Sequence, residues 1–209
     1  MKQINKYIVE RLHINKDTGN HNHYNYYPKT KDELEELVKK LIKERGYNGD
    51  LNDINTSEIT DMSYMFFHIN FNGDISNWDV SNVENMDGMF WSSNFTAKNG
   101  DISKWDVGNV KNMSSMFRKS KFNGDISNWD VSNVKDMYGM FEDSKFTGEN
   151  GDISNWDVSN VVNMEYMFAH SKFTAKNGDL SNWDVSKVIN MNGMFNCTPL
   201  QKNPPKWYK

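Results

Sequence analysis

The chain has 209 residues, a formal net charge of −4, a sequence pI near 5.7 and one cysteine. That length is enough for one domain with a core of its own. The acidic balance argues against a nucleic-acid partner, which would need a clustered basic stripe, and the single Cys197 excludes an internal disulfide and a Cys-rich zinc site.

Residues 1–29 form a first segment, an N-terminal arm. Its start, MKQINKYIVERLHINKDTGN, lacks the apolar core of a secretion signal, and no run in the chain approaches the ~18 apolar residues of a membrane span. The expected location is therefore the cytoplasm or a virion, without membrane insertion. Ile4, Tyr7, Ile8 and Leu12 line one side of a short predicted helix, an arrangement suited to docking on a partner. His21 and His23 offer only a weak metal signal.

Residues 30–48 read as a capping helix. In TKDELEELVKKLIKERG the residues Leu34, Leu37, Val38, Leu41 and Ile42 make one apolar stripe. Thr30 with Glu33 reads as a capping box, and Gly46 suits the position just past the end.

Residues 49–195 repeat six times. The opening glycines stand at 49, 73, 100, 124, 151 and 178, so the successive spacings are 24, 27, 24, 27 and 27 residues. The decapeptide GDISNWDVSN recurs intact at 73–82, 124–133 and 151–160. The longer units differ by three residues in one place, as FNGD becomes FTAKNGD or FTGENGD. Such an insert belongs in a loop that bulges outward while the core stays in register. A period of this size signals stacked coils, each burying its apolar face on its neighbours. Within one coil, Trp78 and Val80 alternate as a short strand does. Met86, Met89 and Phe90 have the spacing of a helical turn capped by Asn85. The Asn-Gly-Asp turn reads as a place where glycine takes positive φ. Residues 196–209 break the pattern with prolines, and Trp207 and Tyr208 are placed to lid the last coil.

The string I-x-x-W-x-V-x-x-V-x-N-M-x-x-M-F resembles the BspA-like repeats of bacterial surface proteins, a branch of the leucine-rich-repeat superfamily. The resemblance covers residues 49–195. It implies an α/β solenoid, a right-handed coil stack with a parallel sheet on one face. It also implies an adhesion or protein-binding module, which would be a non-enzymatic scaffold with a protein partner. The alternative reading is a structural component of a virion or other assembly, docked through the N-terminal arm.

Asp79, Asp106, Asp130, Asp157 and Asp184 occupy one position in successive coils. A column of carboxylates about 4.8 Å apart repels itself. Three readings of it stand: local hydrogen bonding, an acidic ligand-facing ladder, and calcium binding. The column Asp50, Asp74, Asp101, Asp125, Asp152 and Asp179 reads as a set of Asx turns. The pair after each M-F varies from coil to coil while the core letters hardly change. Trp91 and Arg118 stand out there as candidate partner contacts, beside the alternative of neutral surface drift. No nucleophile–base set, phosphate loop or dinucleotide fingerprint appears, so neither an enzyme nor a cofactor is expected.

Overall fold

The computed structural model describes residues 24–208. Helix α1, Lys31–Arg45, lies where the apolar stripe places it and buries Leu34, Leu37, Val38, Leu41 and Ile42. Thr30 Oγ1 accepts from Glu33 N–H, and Glu33 reaches back to the backbone N–H of Lys29. Gly46, at φ 80°, closes the helix by donating its N–H to the Ile42 carbonyl. Its apolar face covers the first coil, whose Leu51, Ile54, Met62 and Phe66 are wholly buried.

Beyond α1 the architecture departs from an α/β solenoid. Among the described residues there is no β-sheet. Cross-coil pairing is limited to isolated parallel bridges, of which five link Asp61, Asn85, Asn112, Asp136, Asn163 and Asn190 in succession. Among the described residues the only other helical segments are two short 3-10 turns, Leu180–Asn182 and Pro199–Lys202.

The reason lies in a five-residue unit written three times per coil: Asx, apolar, two variable residues, apolar. In D-I-S-N-W, Asp74 Oδ1 accepts Ser76 N–H and Trp78 N–H closes on the Ile75 carbonyl. In D-V-S-N-V, Asp79 accepts from Ser81 and Val83 closes on Val80. In N-M-D-G-M, Asn85 accepts from Asp87 and Met89 closes on Met86. Each Asx turn uses locally the amides that a strand would offer its neighbour, so no ladder extends along W-D-V.

Cross-coil hydrogen bonding is concentrated instead on the M-x-x-M-F stretch, and that stretch is not helical. The N–H groups of Met86, Gly88, Phe90 and Ser92 donate to the carbonyls of Asn112, Ser114, Met116 and Arg118 in the next coil. Alternate amides, those of Met89, Trp91 and Ser93, close turns within the coil. This alternation needs left-handed backbone at every fourth residue. Gly88 and Ser92 supply it here (φ 57° and 56°), as Tyr64 and His68 do in the first coil.

The core consists of side-chain columns. Phe66, Phe90, Phe117, Phe141, Phe168 and Phe195 stack with ring centroids 5.4–5.9 Å apart and planes within 8° of parallel. A second column, Phe71, Phe95, Phe122, Phe146 and Phe173, lies against the first at 3.9–4.5 Å within each coil. Each Trp of W-D-V donates its indole N–H to a carbonyl of the preceding coil, for example Trp129 to Ile102 at 3.0 Å. Trp207 makes the same bond to Leu180 at 2.8 Å and stacks on Trp183, so it completes the column from outside the repeat. The three-residue inserts form surface loops pinned to the preceding coil through Asn99, Asn150 and Asn177.

The opening glycines have a different role from the expected one: none of them takes positive φ. Gly49 packs against Arg45 at the end of α1, and the later ones are small because the preceding coil lies against them. A Cβ on Gly73 would sit 2.0 Å from the Gly49 carbonyl oxygen.

Candidate functional site

The turn run that follows each M-x-x-M-F places the variable pairs on one side of the stack. Their first members, in coil order, are Phe67, Trp91, Arg118, Glu142, Ala169 and Asn196. At the first two coils this row becomes an aromatic cluster. Phe67 lies edge-on to Trp91 at 5.1 Å, and Tyr64 meets Phe67 at 5.6 Å and Trp91 at 6.4 Å. Tyr64 and Phe67 remain 42% and 36% exposed although both are large apolar rings. Exposed aromatics grouped with a cation are the residue types that anchor interfaces.

Tyr64 lies flat because Gly88 leaves room: a Cβ at Gly88 would meet the Tyr64 ring at 2.6 Å. The Tyr64 hydroxyl donates to Asp87 Oδ2 at 2.7 Å. That bond, with partial burial, pushes the phenol up to about 12. Burial raises the Asp87 carboxyl above its ordinary value, and repulsion from Asp136 and Asp61 adds to this against the pull of the Tyr64 hydrogen bond.

Arg118 links the aromatic cluster to the next coils. Its guanidinium lies 5.0 Å from the centre of the Trp91 ring, a cation–π distance. Its Nη2 pairs with Glu142 Oε1 at 2.9 Å, and both side chains are largely covered. Arg118 Nε and Glu142 Oε2 are buried without a hydrogen-bond partner among the described residues. The pair therefore holds Trp91 in place but leaves part of its own hydrogen-bonding capacity unused.

Trp91 and Arg118 were singled out separately from the sequence, and the structure brings them into contact. Phe67 and Glu142 were visible as variable pair members, but their place in the cluster was not. Tyr64 was missed altogether. Its signal was an aromatic residue at a slot that later coils fill with Gly88, Ser115, Gly139, Tyr166 and Gly193.

The column of Asp79, Asp106, Asp130, Asp157 and Asp184 lies at an exposed corner and joins none of these contacts. Each carboxylate accepts the backbone N–H two residues on, at 3.0–3.1 Å. At Asp157 and Asp184 the hydrogen bond from Ser159 or Ser186 holds the carboxyl below its ordinary value. Among the described residues no group of three His, Cys, Asp or Glu side chains is placed to hold a metal ion. Millimolar calcium or EDTA should therefore shift the melting temperature by no more than about two degrees. A site held at a hundred times its Kd would add about 2.7 kcal/mol, a shift that a thermal melt resolves at once. Ile4, Tyr7, Ile8 and Leu12 lie outside the described residues.

Turn-built coils stacked through continuous aromatic columns define a repeat protein. The chain belongs to the family described as Mycoplasma protein of unknown function, DUF285, whose model matches residues 32–149 and 93–207. Neither the curated proteins nor the solved structures compared with the chain gave a match. No helix among the described residues is long and apolar enough to cross a membrane.

Proposed function

We propose that the chain is a non-enzymatic repeat scaffold that holds a protein partner, in an interaction or adhesion role, through the face carrying Tyr64, Phe67, Trp91 and Arg118. The observation behind this reading is the exposed aromatic cluster braced by Arg118. The core positions repeat from coil to coil, but this group occurs once, and uniqueness on a repeating frame is what recognition of a particular partner requires. The resemblance to BspA-like surface repeats, many of which belong to adhesion modules, supports the same reading. The alternative is an assembly component docked through the N-terminal arm, and it predicts a different mutational pattern.

Capture of partners by the immobilised intact chain tests the two readings. The double substitution Phe67→Ala, Trp91→Ala should abolish capture and leave the cooperative melt in place, since neither side chain belongs to the stacked columns. Asn at Asp106, Asp130 and Asp157 should leave capture intact, because those side chains satisfy turns. Removal of residues 1–23 should also leave capture intact. Loss of capture on that deletion alone would favour the assembly component, and loss with the Asp substitutions alone would move the site to the acidic corner.

A further inference from the structure

The two ends of the stack are covered unequally. Helix α1 and the segment at Asn25 and Tyr26 bury the apolar side chains of the first coil, Tyr26 pairing with Ile54. At the other end Trp207 and Tyr208 cover Phe195, and Trp207 covers Trp183, while Val185, Val188 and Met191 are only partly buried. Their counterparts one coil earlier, Val158, Val161 and Met164, are at most 1% exposed. Ile189, beside them, is 84% exposed.

The backbone at this end is equally unfinished. In the fifth coil Met164 N–H donates to Asn190 O at 2.8 Å and Tyr166 N–H to Asn192 O at 3.0 Å, while the Val162 carbonyl accepts from Ile189 at 2.9 Å. The matching groups of the sixth coil are Met191 N–H, Gly193 N–H and the Ile189 carbonyl, and none has a partner among the described residues. Two donors and one acceptor thus stand in the geometry of an interior rung, bordered by an apolar ledge.

We infer that the uncovered half of the last coil is a docking edge for a turn-forming segment of another polypeptide, laid parallel as a seventh rung. Docking a segment on an exposed backbone edge takes affinity from main-chain hydrogen bonds and specificity from side-chain pockets. The rung below dictates the occupant: an Asx-apolar-x-x-apolar run with a residue tolerant of left-handed backbone before its second apolar position. A second copy of this chain fits poorly. Its first coil is already covered by α1. Its last coil, brought round by a two-fold axis perpendicular to the turn run, opposes that run with a reversed one, and an axis along the run sets donors opposite donors.

The probe is a synthetic peptide of residues 130–144, DVSNVKDMYGMFEDS, which has the required pattern with Gly139 in the left-handed slot. It is titrated into the isotope-labelled intact chain. The expected result is that the amide signals of Met191 and Gly193 shift and their hydrogen exchange slows about ten-fold or more at saturation. A scrambled peptide should do neither. Ile189→Lys, at a side chain exposed enough to leave the fold unaffected, would face Lys135 of the peptide in the slot where Lys111 meets Glu84 and should weaken the response, whereas Trp91→Ala should retain it. That last variant separates this edge from the aromatic face. Unchanged Met191 and Gly193 amides would overturn the inference, as would shifts confined to Phe67 and Trp91. Slowing that follows protein concentration without peptide, with doubled mass in sedimentation, would also overturn it and assign the edge to a second copy.

Discussion

Truncation of Trp129 to alanine should destabilise the chain by about 3–5 kcal/mol, the cost of emptying a large aromatic site in a packed interior. Trp129 is 3% exposed, lies on Phe117 at 6.2 Å and belongs to a middle coil with neighbours above and below. Its loss opens a cavity in the indole column and orphans the Ile102 carbonyl, which accepts the indole N–H at 3.0 Å. Trp129→Phe separates the two effects, because it keeps most of the ring but leaves the carbonyl without its donor. That variant should lose about 1–3 kcal/mol. Urea unfolding reads both through the midpoint at constant slope. A Trp129→Ala chain within about 1 kcal/mol of the parent would mean that the columns do not carry the fold.

The sequence specified the core much better than the backbone that carries it. Ile75, Trp78, Val80, Val83, Met86, Met89, Phe90 and Phe95 all read as inward-facing, and all are buried. Helix α1 was legible because a cap, an apolar stripe and a closing glycine agreed, although the segment read as helical ran to residue 48 and the helix ends at Arg45. The strand and helical turn assigned to each coil were wrong for one shared reason. Met86 and Met89 are three apart, as on a helix, but so are Ile75 and Trp78, and Val80 and Val83. A turn closed between i+1 and i+4 produces the same spacing as a helical face. The distinguishing mark was the Asp or Asn immediately before each pair, whose side chain takes the N–H two residues on. Read one column at a time, those residues suggested a site or a cap; read along the chain, they are the corners of the coil.

The candidate site was partly legible for the opposite reason. Trp91 and Arg118 interrupt a pattern that otherwise repeats, and an interruption is visible without knowing the backbone. Tyr64 required the backbone. Its ring covers the neighbouring coil only because residue 64 is left-handed and residue 88 has no side chain.

Gly73→Ala should have the second large effect, and its sign is the informative part. Gly73 lies outside the left-handed region. Replacing such a glycine with alanine in open space stabilises a protein by about 0.4–1 kcal/mol, because the unfolded chain loses freedom. Here the new Cβ would sit 2.0 Å from the Gly49 carbonyl oxygen and 2.7 Å from the Phe71 ring. That carbonyl cannot withdraw freely, since it accepts the Asp74 N–H at 3.1 Å and so fixes the second coil on the first. Overpacking of this kind costs about 1–3 kcal/mol, with backbone displacement at the upper end. Gly178→Ala is the control. Its Cβ would meet Asp152 Oδ1 at 1.7 Å, closer still, but a carboxylate can rotate away and sacrifice only the Ser154 N–H bond. Gly178→Ala should therefore lose less than Gly73→Ala in the same urea titration. Equal losses would show that the obstacle is common to both positions and is not the rigid contact between the Gly49 carbonyl and the second coil. A gain at Gly73 would mean that the first two coils are not held at the separation from which the stack is built.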